Sequence, residues 1–181
     1  MSNLKELTWE HHKNAERQAF VKEMFGGDIT PERYATYLYN QHPQYDILEA
    51  VAMMHGLLND MQSIRRAPSI LEDYKELWPH ADVVRPQLCP VVSEYINYIK
   101  TIMNDSDKIM AHLYVRHMGD LSGGQMIAKR VPGKGLFYQF SEDTDELKIK
   151  VRAKLKDSMA DEAKVCFDFA TKLFIELGNE Q

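Results

Sequence analysis

Asp120 stands in a run of glycines. The segment Gly119-Asp120-Leu121-Ser122-Gly123-Gly124 places one carboxylate among three residues without side chains, inside a stretch whose flanks carry helical spacing. Each glycine in a helix interior costs about 0.5–1 kcal/mol relative to alanine, so three together cost about 2–3 kcal/mol. A helix retains them where something must lie close against its backbone or where it bends. A turn or C-cap that ends the helix at Gly123-Gly124 explains them equally well. Arg116 and Asp120 are four residues apart on one helical face, which fits either an ion pair or a polar group held beside a cavity.

His12 and Glu16 repeat that spacing near the N-terminus. The carboxylate can hold one imidazole nitrogen and leave the other to bind a metal; an ordinary helical ion pair has the same signature. His11 points about 100° away around the helix. Lys148, Arg152 and Lys156 repeat every four residues, as a grip for an anionic ligand or as a solvated face. Phe167 and Phe174 read as core. The ten methionines fill core space or line a site for a large flat apolar ligand.

Several chemistries are excluded. Leu121-Ser122-Gly123-Gly124-Gln125 spells the signature of ABC-transporter ATPases, yet no GxxxxGK[ST] phosphate loop accompanies it. HExxH, ExxH and GxGxxG are absent, which argues against a zincin, a ferritin-type di-iron bundle and a Rossmann site. The net charge of −5 opposes general nucleic-acid binding, which needs a basic face. Cys89 and Cys166 form no CxxC pair, so a reducing compartment is expected. The opening residues carry no secretory pattern, no apolar run reaches the roughly 18–20 residues of a membrane span, and the last residues, 177–181, carry no tail anchor. A soluble cytoplasmic protein is expected.

The elements that must position these residues are helices. Asn3 and Glu6 form a capping-box arrangement, and one helical element is expected to run from there to Gly26-Gly27. Thr30-Pro31 opens the next, within which Pro43 is expected to kink or break the pattern. A short helix carries Ile70, Leu71, Tyr74 and Leu77, residues 82–90 read as loop, and Val92, Tyr95, Ile96, Ile99 and Met103 form an amphipathic stripe. Another helix enters the glycine segment, reaching as far as Lys129. Two more are expected over about 145–159 and 161–177. The class is all-α, a single domain over 1–181 with seven or eight helices.

Taken together, these pieces resemble heme oxygenase. Tyr114-Val-Arg116-His-Met-Gly119-Asp120-Leu-Ser-Gly123-Gly124-Gln125 is similar to that family's distal-helix signature, and Leu4-Lys5-Glu6-Leu7-Thr8 followed by His12-Lys-Asn-Ala15-Glu16 to its proximal-helix motif. Lys148, Arg152 and the stretch from Glu162 through Phe167, Leu173 and Phe174 resemble its C-terminal region. The match is collinear and weakest between about Met53 and Pro90.

The resemblance implies heme b as substrate and cofactor, with His12 the axial iron ligand and Glu16 holding its imidazole. Gly119, Gly123 and Gly124 would let backbone lie against the porphyrin. Lys5, Tyr114, Lys148 and Arg152 would meet the propionates, and Phe167 would pack on the macrocycle. Asp120 would act through ordered water, with Arg116, Tyr45 and Glu49 in the supporting network. With O2 and electrons from ferredoxin and NADPH, α-meso opening would yield biliverdin IXα, carbon monoxide and ferrous iron. The soluble cyanobacterial and algal members, or viral copies of them, are the nearest in pattern. A downstream bilin reductase is the implied consumer, and a monomer is expected. Lys129, Arg130 and Lys134, with the 148–156 stripe, would dock an acidic ferredoxin. The sequence departs from the pattern at Pro43, at His117, where an aromatic residue is usual, and in the short loop 131–140. A non-catalytic heme carrier on the same scaffold is the alternative. A thiamin-degrading hydrolase would need a nucleophilic cysteine in the pocket, and Cys166 lies on a core face.

Overall fold

Thr30, Pro31 and Gly27 do in three dimensions what their types predict. In the computed structural model, which describes residues 1–79 and 84–179, Gly27 adopts φ +78° to end one helix. The Thr30 hydroxyl accepts the Arg33 N–H to start the next at Pro31. The helices are α1 (Leu4–Leu7), α2 (Trp9–Glu16), α3 (Ala19–Gly26), α4 (Pro31–Met54), α5 (Ala67–Leu77), α6 (Pro90–Ile102), α7 (Ser106–Leu121), α8 (Gly124–Ile127), α9 (Thr144–Arg152) and α10 (Ala160–Gly178). Three 3-10 turns, at Gln62–Ile64, Leu136–Tyr138 and Asp157–Met159, join them. Among the described residues there is no strand, and no helix is long and apolar enough to cross a membrane.

Among the described residues the expected seven or eight helices become ten because two of them break. The N-terminal element divides into α1, α2 and α3. At Thr8 the backbone leaves helical geometry and the hydroxyl donates to the Leu4 carbonyl. The Asn3 side chain makes no cap; its backbone N–H donates to Asp157 Oδ1 at 2.6 Å. The glycine helix stops at Leu121 and resumes as α8, so it does not run unbroken to Lys129. The element expected over 145–159 ends at Arg152, which takes Lys156 off the Lys148–Arg152 face. Of the expected loop 82–90, Asp82 and Val83 lie outside the described residues, as do His80 and Ala81 before it and Glu180 and Gln181; Pro90 is already the first residue of α6.

Pro43 does not break α4, which runs through it. A proline removes one N–H and crowds the carbonyls a turn earlier. The Asn40 carbonyl accepts the Gln44 side-chain amide at 2.8 Å, and the Thr36 carbonyl accepts the Asn40 amide at 2.8 Å. Both are side-chain bonds back to carbonyls one turn earlier on α4 itself.

α4 is the spine, packed on α5, α6 and α7, while α10 lies against α2, α3 and α7. Leu48, Ile99, Leu113 and Val151 form one core region; Phe20, Tyr34, Leu38 and Phe137 form the other. Buried Arg66 ties the α4–α5 junction to the turn before α9. Its guanidinium donates to the carbonyls of Ser63, Ile64, Leu136, Phe137 and Gln139. Asp73 accepts the N–H groups of Leu136 and Phe137 from the same turn.

Candidate functional site

The glycines divide into two kinds. A Cβ on exposed Gly119 would meet nothing within 4 Å, and one on Gly123 only the Gly119 carbonyl at 3.8 Å. Both therefore border open space on one side of α7. Gly124 is buried, and a Cβ there would lie 2.6 Å from Cδ1 of Tyr138. Its lack of a side chain makes room for a protein ring. The bend between α7 and α8 falls at Ser122, whose backbone leaves the helical region, so both sequence readings of the segment hold: the helix turns there, and it also exposes bare backbone.

Asp120 is turned the other way, into the protein. Its carboxylate accepts the Tyr45 hydroxyl, 2.9 Å from Oδ2 and 3.1 Å from Oδ1. Burial pushes it up to about 6, against the opposing pull of His117, the Tyr45 hydrogen bond and Arg66. Arg116 forms no ion pair with it. The guanidinium donates to Gln44 Oε1 at 2.8 Å, Gln41 Oε1 at 3.3 Å and the Tyr95 hydroxyl at 3.2 Å, and it lies over the Tyr95 ring. From Tyr95 the polar contacts continue to His112 Nδ1 at 2.8 Å, and from His112 Nε2 to Glu162 at 2.9 Å. Cys166 is fully buried beside His112, which leaves it away from any open pocket.

His12 stands on α2, which packs against α10 and α3. The His12 ring lies between Trp9 and Phe167, each with ring centroids 5.5 Å away, and its Nε2 is 2.7 Å from Glu16 Oε1. His11 faces Asp168 at 3.9 Å, which settles which of the two histidines shares a face with Glu16. Phe167 is buried on α10, the helix that α2 packs against.

Tyr114 of α7 lies beside the Thr8 side chain; burial raises its phenol, while Thr8 and the nearby Arg152 charge pull it down. Lys5 lies 6.0 Å over the Trp9 ring. The structure therefore brings Thr8, Tyr114 and Arg152 together, and places Lys5 against Trp9. Lys148 is 3.4 Å from Asp145, and Lys156 pairs with Asp107 at 3.0 Å. Sequence reasoning missed Gln41, Gln44, Tyr95, His112 and Arg66 as partners of this site. Their only sequence signal is polar types on otherwise apolar helix faces.

Bare backbone at Gly119, a half-buried histidine braced by a carboxylate, and a tyrosine beside an arginine are groups that a flat anionic ring system with a metal at its centre would use. The comparisons agree. The heme oxygenase family model matches residues 1–176. A heme oxygenase of Rhodella violacea is 30% identical over 205 residues, covering 97% of this chain and 86% of that protein. The structure of heme oxygenase from Leptospira interrogans superimposes with a TM-score of 0.80 at 28% identity, over 94% of this chain and 96% of that one. The heme complex of heme oxygenase-1 from Synechocystis sp. PCC6803 shares the fold, with a TM-score of 0.82 at 24% identity, over 96% and 90% of the two chains. With a family model spanning nearly its whole length and relatives matched end to end, the chain belongs to the heme oxygenase family.

Proposed function

We propose that this chain binds heme between α2 and α7 and degrades it with O2 to biliverdin IXα, carbon monoxide and ferrous iron, drawing electrons from a ferredoxin. The observation that carries the reading is the pairing of Gly119 on α7 and Gly123 just past its end, which border open space, with Asp120, a buried carboxylate held by Tyr45. Heme storage needs no such acid. Heme supplies both the iron at which O2 is reduced and the carbon that is oxidised.

The protein's part is binding, orientation and proton supply. His12 would offer one imidazole nitrogen to iron while Glu16 holds the other, as carboxylates behind ligating histidines do; in this structure the nitrogen facing Glu16 is Nε2. Trp9 and Phe167 fix the plane of the ring. Gly119 and Gly123 admit the macrocycle against α7, and Gly124 flanks them with the Tyr138 contact. Lys5, Tyr114, Lys148 and Arg152 receive the propionates, Lys148 by leaving Asp145. Fixing that edge selects which meso carbon faces the distal side, and α-meso opening follows. Asp120, near 6, takes and returns a proton close to neutral pH. Arg116 and Tyr45 keep it oriented, and Glu49 extends the network.

The test is an absorption time course. Hemin added to the purified protein should shift the Soret band. Ferredoxin, its reductase and NADPH in air should then bleach it as the broad red absorption of biliverdin grows. Heme that binds and is reduced without being degraded would instead make the chain a heme carrier. No Soret shift would overturn both readings.

A further inference from the structure

His117 sits one turn before Asp120 on α7 and is fully buried. Its Nε2 donates to Glu49 Oε2 at 2.8 Å, and its Nδ1 lies 3.3 Å from the Leu113 carbonyl. Each ring nitrogen faces an oxygen acceptor, so both contacts are satisfied only with a proton on each nitrogen. Glu49 is equally fixed. It also accepts the N–H groups of Arg66 at 2.7 Å and Ala67 at 3.1 Å, at the start of α5, with Arg65 3.9 Å away. Burial raises this carboxyl, but His117 and the two N–H groups outweigh it and hold it below the usual range. The result is a clamped, buried histidine–carboxylate pair whose histidine is on Asp120's helix. The same ring stands edge-on to Tyr45, with centroids 5.3 Å apart and planes at 65°, and Tyr45 is the residue that donates to Asp120.

We propose that His117 is a positioning residue for Asp120: its doubly protonated ring, locked to Glu49, supports Tyr45 from the side and supplies the positive charge beneath which Asp120 works. The proposal rests on Asp120 being the working acid of the site. The other groups whose charge or hydrogen bonding bears on this pair are Tyr34, Tyr37, Tyr45 and Glu49 from α4, Arg66 at the α4–α5 junction and Tyr138 from the turn before α9. Burial drives Asp120 upward; of the influences that pull it back, His117 is the largest. Arg116 on the same helix is committed to Gln41, Gln44 and Tyr95. An ordinary aromatic at position 117 would brace Tyr45 but carry no charge.

The test uses the heme-free protein with 13C-labelled aspartate, following the Asp120 carboxyl carbon against pH by NMR. In His117→Phe, which keeps a ring against Tyr45, the Asp120 midpoint should rise by one pH unit or more, a tenfold or greater gain in proton affinity. In His117→Phe/Glu49→Gln, which removes both members of the pair and leaves no stranded carboxylate, it should return part of the way toward the parent. A midpoint unchanged in both variants, or equally displaced in both, would overturn the proposal, whatever either does to stability. Hemin titration of the parent separates this from the functional reading: a protein that fails to bind heme refutes that reading and leaves the titration standing.

Discussion

The Tyr45 hydroxyl reaches both oxygens of the Asp120 carboxylate, at 2.9 and 3.1 Å, across 75 residues of sequence. One donor facing two acceptors fixes the plane of the carboxylate without neutralising it. The acid is thus oriented by a group that is itself hard to ionise, since burial and the Asp120 charge push the Tyr45 phenol well above its ordinary range.

An aspartate ordinarily protonates near 3.8, and Asp120 does so at about 6 in the fold. The folded state therefore binds this proton more tightly than the unfolded chain, and stability falls as pH rises from about 4 to 6. Asp120→Asn removes that cost. The variant should be more stable than the parent at pH 8 by about 2–3 kcal/mol, and the gain should vanish as pH falls to 4. Thermal unfolding across that range measures it, and a gain independent of pH would contradict the assignment.

The two kinds of glycine separate under alanine substitution. Gly119→Ala places a methyl in open space, so stability should hold or rise by up to about 1 kcal/mol through helix propensity, while heme affinity falls. Gly124→Ala drives a methyl into the Tyr138 ring and should destabilise the fold by about 1–3 kcal/mol. Urea unfolding alongside hemin titration distinguishes the two, and equal behaviour in both assays would contradict the geometry.

His12→Ala removes the imidazole held between Trp9 and Phe167. Turnover should drop to background, and added imidazole should restore part of the parent's heme spectrum. The fold should be little affected, because the ring is only partly buried. Far-ultraviolet circular dichroism checks the last point, and undiminished turnover would remove His12 from the iron.

Of the basic residues expected to dock ferredoxin, Lys148 and Lys156 are paired with Asp145 and Asp107, and Arg130 donates to the Phe25 carbonyl at 2.6 Å. Lys129 is exposed and gives the cleaner variant. Lys129→Glu should raise the KM for ferredoxin several-fold and leave turnover with a small chemical reductant unchanged. Identical ferredoxin kinetics would take this surface out of the account.

What was legible in the sequence was local. His12 with Glu16, the glycines around Asp120 and the Thr30-Pro31 start all lie within one or two helical turns, where spacing translates directly into a shared face. What was hidden depends on which helices meet. Nothing near Arg66 in sequence announces that its partners are carbonyls at 136, 137 and 139. Spacing even misled: Arg116 and Asp120 share a face yet do not pair, because Gln41 and Gln44 arrive from α4 to take the guanidinium. The N-terminal helix was predicted whole because its apolar spacing continues through Thr8, and only the hydroxyl's bond to Leu4 shows the break.

Gln44 carries an orientation from one helix to the next. The Asn40 carbonyl accepts the nitrogen of the Gln44 side chain, and the oxygen of that same amide accepts Arg116. An amide is a dipole with two distinguishable ends. Bonding its nitrogen to α4's own backbone dictates that the oxygen faces α7. The backbone of α4 thus sets the polarity of a contact between two helices: the same amide turned over would present hydrogens to a guanidinium that has only hydrogens to offer.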